Sequence, residues 1–159
     1  MNASLPERIV CLTEETTETL YLIGEAKRIV GISGFTVRPP QARKEKPRVS
    51  AFTSAKIEKI LALSPDLVLG FSDLQADIAA DLIRAGVTVM VINHRSVDGI
   101  LGMIRTLGAM VGAPDRAEAL ACDCQRRLTR ARSQVRTPLP RVYFEEWDEP
   151  QISAIRWVS

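Results

Sequence analysis

The fold class that the sequence predicts is α/β: a parallel, doubly wound (Rossmann-like) lobe, then a long linker helix and the start of a second α/β lobe. Three observations predict it. Short apolar runs alternate with longer amphipathic stretches up to Gly112, the pattern of strand and crossover helix. Leu67 to Gly70 is apolar enough to be covered on both faces, as inner parallel strands are. Asp115 to Arg136 then holds one helical period for roughly 22 residues, about 33 Å, enough to cross a small domain.

The elements follow in order. Ile9 to Leu12 reads as the first strand. Thr13 can cap the next helix, and Glu14 and Glu15 suit its positive N-terminal end. That helix turns Leu20 and Ile23 inward and stops near Gly24. Arg28 to Ile32 is the second strand. Residues 36–50, with Pro39, Pro40 and Pro47, read as a long surface loop. Ser54 to Leu63 spaces Ile57, Ile60 and Leu61 for one helical face, and Ser64-Pro65-Asp66 turns the chain into Leu67 to Gly70.

Leu74 to Ala85 is a helix ended by Gly86, and Val87 to Ile92 is a β-branched strand. Ser96 caps the following helix, whose Val97, Ile100, Leu101, Ile104, Leu107 and Val111 form a stripe of 3.6-residue period. Pro114 stands where a first-turn proline belongs. In the long helix after it, Ala117, Leu120, Ala121, Cys124, Leu128, Ala131 and Val135 line one face, and arginines occupy the other. Thr137-Pro138-Leu139-Pro140 breaks that helix, and Arg141 to Phe144 opens a new strand. The expected division is residues 1–113 as an N-terminal lobe, 114–137 as a connecting helix and 138–159 as the beginning of a second lobe. One strand and a short tail cannot bury a core, so a chain cut short within that lobe is the expectation.

Composition narrows the function. The 159 residues carry 21 basic and 19 acidic side chains, a net charge of +2, too balanced for a nucleic-acid binder. Aromatic residues make up 5%, too few for a base-stacking platform. Cys11, Cys122 and Cys124 are odd in number, and the last two point in different directions from one helix, so no disulfide framework is expected. No apolar run reaches the ~18 residues of a membrane span. The start, Met1 to Arg8, lacks the apolar core of a signal peptide.

The loop after the first strand, Cys11 to Thr16, has two carboxylates and no glycine. A phosphate cradle needs the reverse, which argues against a dinucleotide enzyme. His94 follows the last strand of the lobe, where open α/β sheets gather ligands. A single histidine completes neither a catalytic triad nor a zinc site, so it reads as a surface residue or a ligand contact. No catalytic residue and no metal ligand set is assigned. Glu145-Glu146-Trp147-Asp148-Glu149 is an acidic run, read as a solvated loop, a ligand rim or a cation site. Trp147 and Trp157 suit the missing lobe or the cleft.

Several segments together resemble one family. "RIVCLTEETTETLYLIGEAKRIVGIS" is similar to the opening strand, helix and strand of the vitamin B12 and iron-siderophore binding proteins of ABC importers. "RPPQA", "IEKILALSPDLVLGF" and "LIRAGVTVMVIN" follow in that family's order, so the resemblance covers nearly the whole chain. It implies two α/β lobes joined by a rigid helix. A small-molecule metal chelate would sit between them: a corrinoid such as cobalamin, or alternatively haem or a ferric siderophore. It implies a membrane permease with its ATPase as partners, no resident cofactor and no covalent chemistry.

By the same resemblance, Glu58 takes the place of a carboxylate that pairs with permease arginines. Phe35 and Phe52 fall where the family has cleft aromatics, and Thr13, Glu14, Phe71, Ser72, Asn93 and His94 follow strand ends and could rim the cleft. Trp147 joins this ligand-binding set. The acidic Thr13-Glu14-Glu15 stretch departs from the family's common Ser-Pro form and favours a cationic or hydrogen-bond-rich ligand. Periplasmic or extracellular residence follows from the resemblance alone, and a cytoplasmic corrinoid scavenger stays open. A cytoplasmic α/β enzyme or regulatory domain is the reading from another class.

Overall fold

The computed structural model describes residues 5–143, 145 and 147–152, without the side chains of Trp147, Gln151 and Ile152. A five-stranded sheet lies at the centre, in the order β3-β2-β1-β4-β5. Its strands are β1 (Ile9–Cys11), β2 (Ile29–Ser33), β3 (Arg48–Ser50), β4 (Leu67–Phe71) and β5 (Val89–Ile92). Every pairing is parallel. The chain runs outward from β1 to β3, returns to the centre and continues outward through β4 and β5, so its direction switches between β1 and β4.

Alternation along β1 builds two cores, because successive side chains point to opposite faces. Ile9 and Cys11 pack on one face, with Leu20 and Ile23 of α1 (Glu14–Leu22) and its C-cap. Leu101, Ile104 and Leu107 of α5 (Val97–Met110) and Ala117 and Ala121 of α6 (Pro114–Ser133) complete that core. Val10 and Leu12 pack on the other face, against Ile60 of α3 (Ile57–Leu61) and Ile78 and Leu82 of α4 (Ala76–Arg84). This is the doubly wound sheet that the alternating pattern predicts. Cys11 is fully buried, and burial pushes its thiol up to about 12, so it acts as a small core hydrophobe.

The Ser64-Pro65-Asp66 turn has a physical reason. Asp66 accepts hydrogen bonds from the backbone N–H groups of Glu7 (2.7 Å) and Arg8 (3.0 Å). Arg8 Nε donates to the Leu63 and Ser64 carbonyls at 3.1 and 3.0 Å. The turn before β4 is thereby tied to the segment before β1, and the two central strands enter in register.

The structure corrects several local expectations. Residues 36–50 are not all loop: they contain the single-turn helix α2 (Ala42–Glu45) and the edge strand β3. Only Val49 of β3 is buried, so three residues carry little apolar signal. Pro47 suits a strand entrance, and its carbonyl still accepts from Ile32 N–H at 2.9 Å. The strand expected at Arg141 to Phe144 is absent at residues 141–143, Phe144 lying outside the described residues. A two-residue hairpin of β6 (Trp147–Asp148) and β7 (Gln151–Ile152) follows instead.

Thr13 holds the N-cap position of α1 but makes no side-chain cap bond. Its hydroxyl donates to Glu15 Oε1 at 2.7 Å, a charge-assisted bond. The helix stripe of α5 divides: Leu101, Ile104, Leu107 and Val111 are buried, whereas Val97 and Ile100 are 38% and 50% exposed. Helix α6 is 20 residues long, about 30 Å. Only its first half reaches the core, and residues 129–140 are exposed.

Candidate ligand-binding site

A cavity of about 410 Å³ opens at the carboxyl ends of the strands, the place where open α/β sheets collect ligands. Its base is apolar: Ile92 ends β5, and Met103 rises from α5; both are buried. Phe52 and Phe71 form walls, and Val97 and Ile100 continue the apolar surface along α5. Glu15, His94, Arg95 and Ser96 supply the polar groups. Apolar walls with a few convergent polar groups are the usual make-up of a small-molecule site.

Local chemistry holds each part. Ser96 caps α5, its Oγ accepting from Gly99 N–H at 3.1 Å. Gly99 leaves room for His94, since a Cβ there would stand 2.8 Å from the His94 Cβ. The Arg95 guanidinium carbon lies 5.2 Å from the centre of the Phe71 ring, a cation–π distance. Arg95 Nη2 also meets Asp73 Oδ1 at 3.1 Å. The planar cation thus lies over the aromatic ring at the wall of the cavity.

Gln75 anchors the loops behind this wall and is 1% exposed. Its Oε1 accepts from Phe71 N–H at 2.9 Å, and its Nε2 donates to the carbonyls of Phe52 (2.8 Å) and Leu12 (3.4 Å). One side chain therefore links the ends of β1, β3 and β4. Gly70 permits that approach, because a Cβ there would stand 3.0 Å from Gln75 Oε1.

Of the residues expected in the cleft, the structure brings Phe52, Phe71 and His94 together around the cavity. Thr13 and Ser72 are buried and do not line the cavity. The Thr13 carbonyl accepts from the Thr16 and Thr17 hydroxyls, and Ser72 Oγ accepts from Leu74 N–H at 3.3 Å. Glu14 turns away to Arg38 (3.4 Å), which also meets Glu18 (3.4 Å). Phe35 is 65% exposed and Asn93 is exposed, and neither lines the cavity. The Trp147 side chain lies outside the described residues. Glu58 is exposed on α3, apart from the cavity.

Sequence reasoning missed Glu15, Arg95 and the exposed front of α5. Their signal was position: Glu15 follows Glu14, Arg95 follows His94, and Val97 and Ile100 stand in the first turn after the Ser96 cap. Among the described residues, no group of three metal-ligating side chains converges, and no helix is long and apolar enough to cross a membrane.

Comparison with known proteins agrees with this architecture. The chain is 31% identical over 147 residues to the vitamin B12-binding protein of Vibrio cholerae, covering 92% of this chain and 53% of that protein. The crystal structure of the periplasmic vitamin B12 binding protein of Vibrio cholerae superposes with a TM-score of 0.80 at 30% identity, over 92% of this chain and 58% of that one. A periplasmic heme binding protein from Pseudomonas aeruginosa superposes with a TM-score of 0.75 at 29% identity, over 81% of this chain and 47% of that one. The chain spans about half the length of the curated relatives it matches. The sequence profile described as "Periplasmic binding protein" matches residues 9–159. The chain belongs to the periplasmic binding protein family.

Proposed function

We propose that this lobe forms one wall of the ligand site of an ABC importer's solute-binding protein, and that the ligand is a corrinoid or a similar bulky metal chelate. The observation that carries the reading is the cavity beside Phe71. Its apolar floor and walls fit the broad face of a macrocycle, and Arg95, His94, Ser96 and Glu15 suit a periphery rich in hydrogen-bonding groups. The likeness to vitamin B12-binding proteins supports the same ligand class.

The reading includes a second lobe facing the cavity across α6. Exposed Val135, Leu139, Val142 and Tyr143 at and beyond the end of that helix support it, since a run of uncovered apolar side chains needs a partner. It also includes a permease and its ATPase, with Glu58 exposed on α3 for docking, and residence outside the cytoplasmic membrane. A second reading, haem in place of the corrinoid, is favoured by the His94 imidazole at the cavity and by the likeness to a periplasmic heme binding protein.

Calorimetric titration with cyanocobalamin, haemin and a ferric siderophore tests the ligand. Cyanocobalamin is expected to bind most tightly, and Phe71→Ala to weaken it about tenfold through lost aromatic contact. Preference for haemin would establish the second reading. Absence of binding to all three in the protein with both lobes would sink the proposal. For the docking role, Glu58→Arg is expected to reduce transport and leave ligand affinity unchanged.

A further inference from the structure

A second cavity, of about 390 Å³, is bordered by β3, the 51–55 turn and the start of α3. Arg48, Lys56 and Lys59 line it together with Ser50 and Ser54, and no carboxylate does. It shares no lining residue with the cavity at Phe71. On other parts of the surface Arg38, Arg84, Arg105, Arg126 and Arg127 each meet a carboxylate. Among the described residues, Arg48, Lys56 and Lys59 form no ion pair. Ser50 adds an independent signal, because its Oγ is buried without a hydrogen-bond partner. Native structures seldom leave such a group unsatisfied without a reason.

The frame around these groups is ordered. Ser50 and Ala55 form an antiparallel bridge, and Ala51 N–H donates to the Ser54 carbonyl at 2.8 Å. Arg48 on β3 and Lys56 and Lys59 at the start of α3 thus border one cavity with three like charges, an arrangement that a counter-anion stabilises. Guanidinium and ammonium donors beside hydroxyls match the acceptor-only oxygens of a phosphoryl group. We propose that this cavity is a binding site for a phosphoryl oxyanion, either free phosphate or the headgroup of an anionic phospholipid.

The test is an amide-shift titration of the isotope-labelled chain with sodium phosphate, run against sodium chloride at equal ionic strength. A parallel arm measures co-sedimentation with phosphatidylglycerol–phosphatidylcholine vesicles and with phosphatidylcholine vesicles alone. The expected result is saturable shifts at Ser50, Ala51 and Lys56 with phosphate, co-sedimentation with the anionic vesicles only, or both. Phosphate shifts alone assign the free ion, and sedimentation alone assigns the headgroup. Arg48→Gln with Lys59→Gln is expected to weaken whichever response occurs about tenfold, the scale of a lost charge-assisted hydrogen bond. These side chains are exposed, and an unchanged amide spectrum away from the cavity verifies the fold. Shifts that match chloride with no vesicle binding, or a response the double variant leaves intact, overturn the proposal.

Discussion

Gln75 Nε2 donates to the backbone carbonyl of Phe52 at 2.8 Å, joining the start of α4 to the loop after β3 across 23 positions of sequence. The same amide accepts from Phe71 N–H, so both aromatic walls of the cavity hang on one buried side chain. Buried hydrogen bonds of this kind cost more to break than they contribute, because the abandoned partners stay desolvated.

Gln75→Leu keeps the volume and removes these two bonds together with the longer one to the Leu12 carbonyl. The expected loss is about 2–4 kcal/mol of stability, from the stranded Phe71 N–H and Phe52 carbonyl. Denaturant unfolding reads that loss. Ligand affinity is expected to fall as well, since the Phe52 and Phe71 loops lose their common anchor. Unchanged stability would show that the amide is dispensable.

Glu25 and Arg116 are 91 positions apart and form an ion pair that fastens α6 to the lobe. Arg28 Nε donates to the same carboxylate at 2.7 Å. Burial alone would raise the Glu25 pKa; the hydrogen bonds and charges of Arg28 and Arg116 outweigh it and hold the carboxyl below its usual value. A depressed folded-state pKa contributes stability that is present above the unfolded value of about 4.3 and is lost as pH falls through the folded one. Glu25→Gln is therefore expected to be less stable than the parent near neutral pH, with the gap closing below about pH 4. Thermal melts across that range check it, and a constant gap would remove the ion pair as its cause.

Gly108 brings α5 against α6. A Cβ at that position would stand 2.1 Å from the Ala117 Cβ and 3.0 Å from the Ala113 carbonyl oxygen. Alanine improves helix propensity by about 1 kcal/mol, yet overpacking a close helix contact costs about 1–3 kcal/mol. Neither the Ala117 Cβ nor the Ala113 carbonyl is the flexible end of a side chain, so the clash is expected to win. Gly108→Ala should lower the melting temperature, whereas Gly102→Ala, with open space around it, should leave it unchanged or raise it.

The alternating strands and helices, the Ser96 cap, the Pro114 start and the stops near Gly24, Gly86 and Gly112 were legible in the residues themselves. Each depends on a local period or a local backbone preference, which a short window of sequence contains. The edge strand at Arg48–Ser50 was not legible, since one buried residue in three leaves no period to read. The lobe could be expected to gather ligands at its strand ends, and Phe52, Phe71 and His94 do meet there.

Tertiary structure alone decided which neighbours complete that site. Glu14 and Glu15 are adjacent carboxylates, yet one turns to Arg38 and the other reaches the cavity. Val97 and Ile100 belong to the same stripe as Leu101 and Ile104, yet they line the cavity and not the core. Gln75, Arg95 and the Glu25–Arg116 pair act across 22 to 91 positions of chain. Local periodicity determines the longer strands and helices and the face that most of their apolar residues share. The contacts that shape the cavity depend on how those elements pack, and no stretch of sequence contains that information by itself.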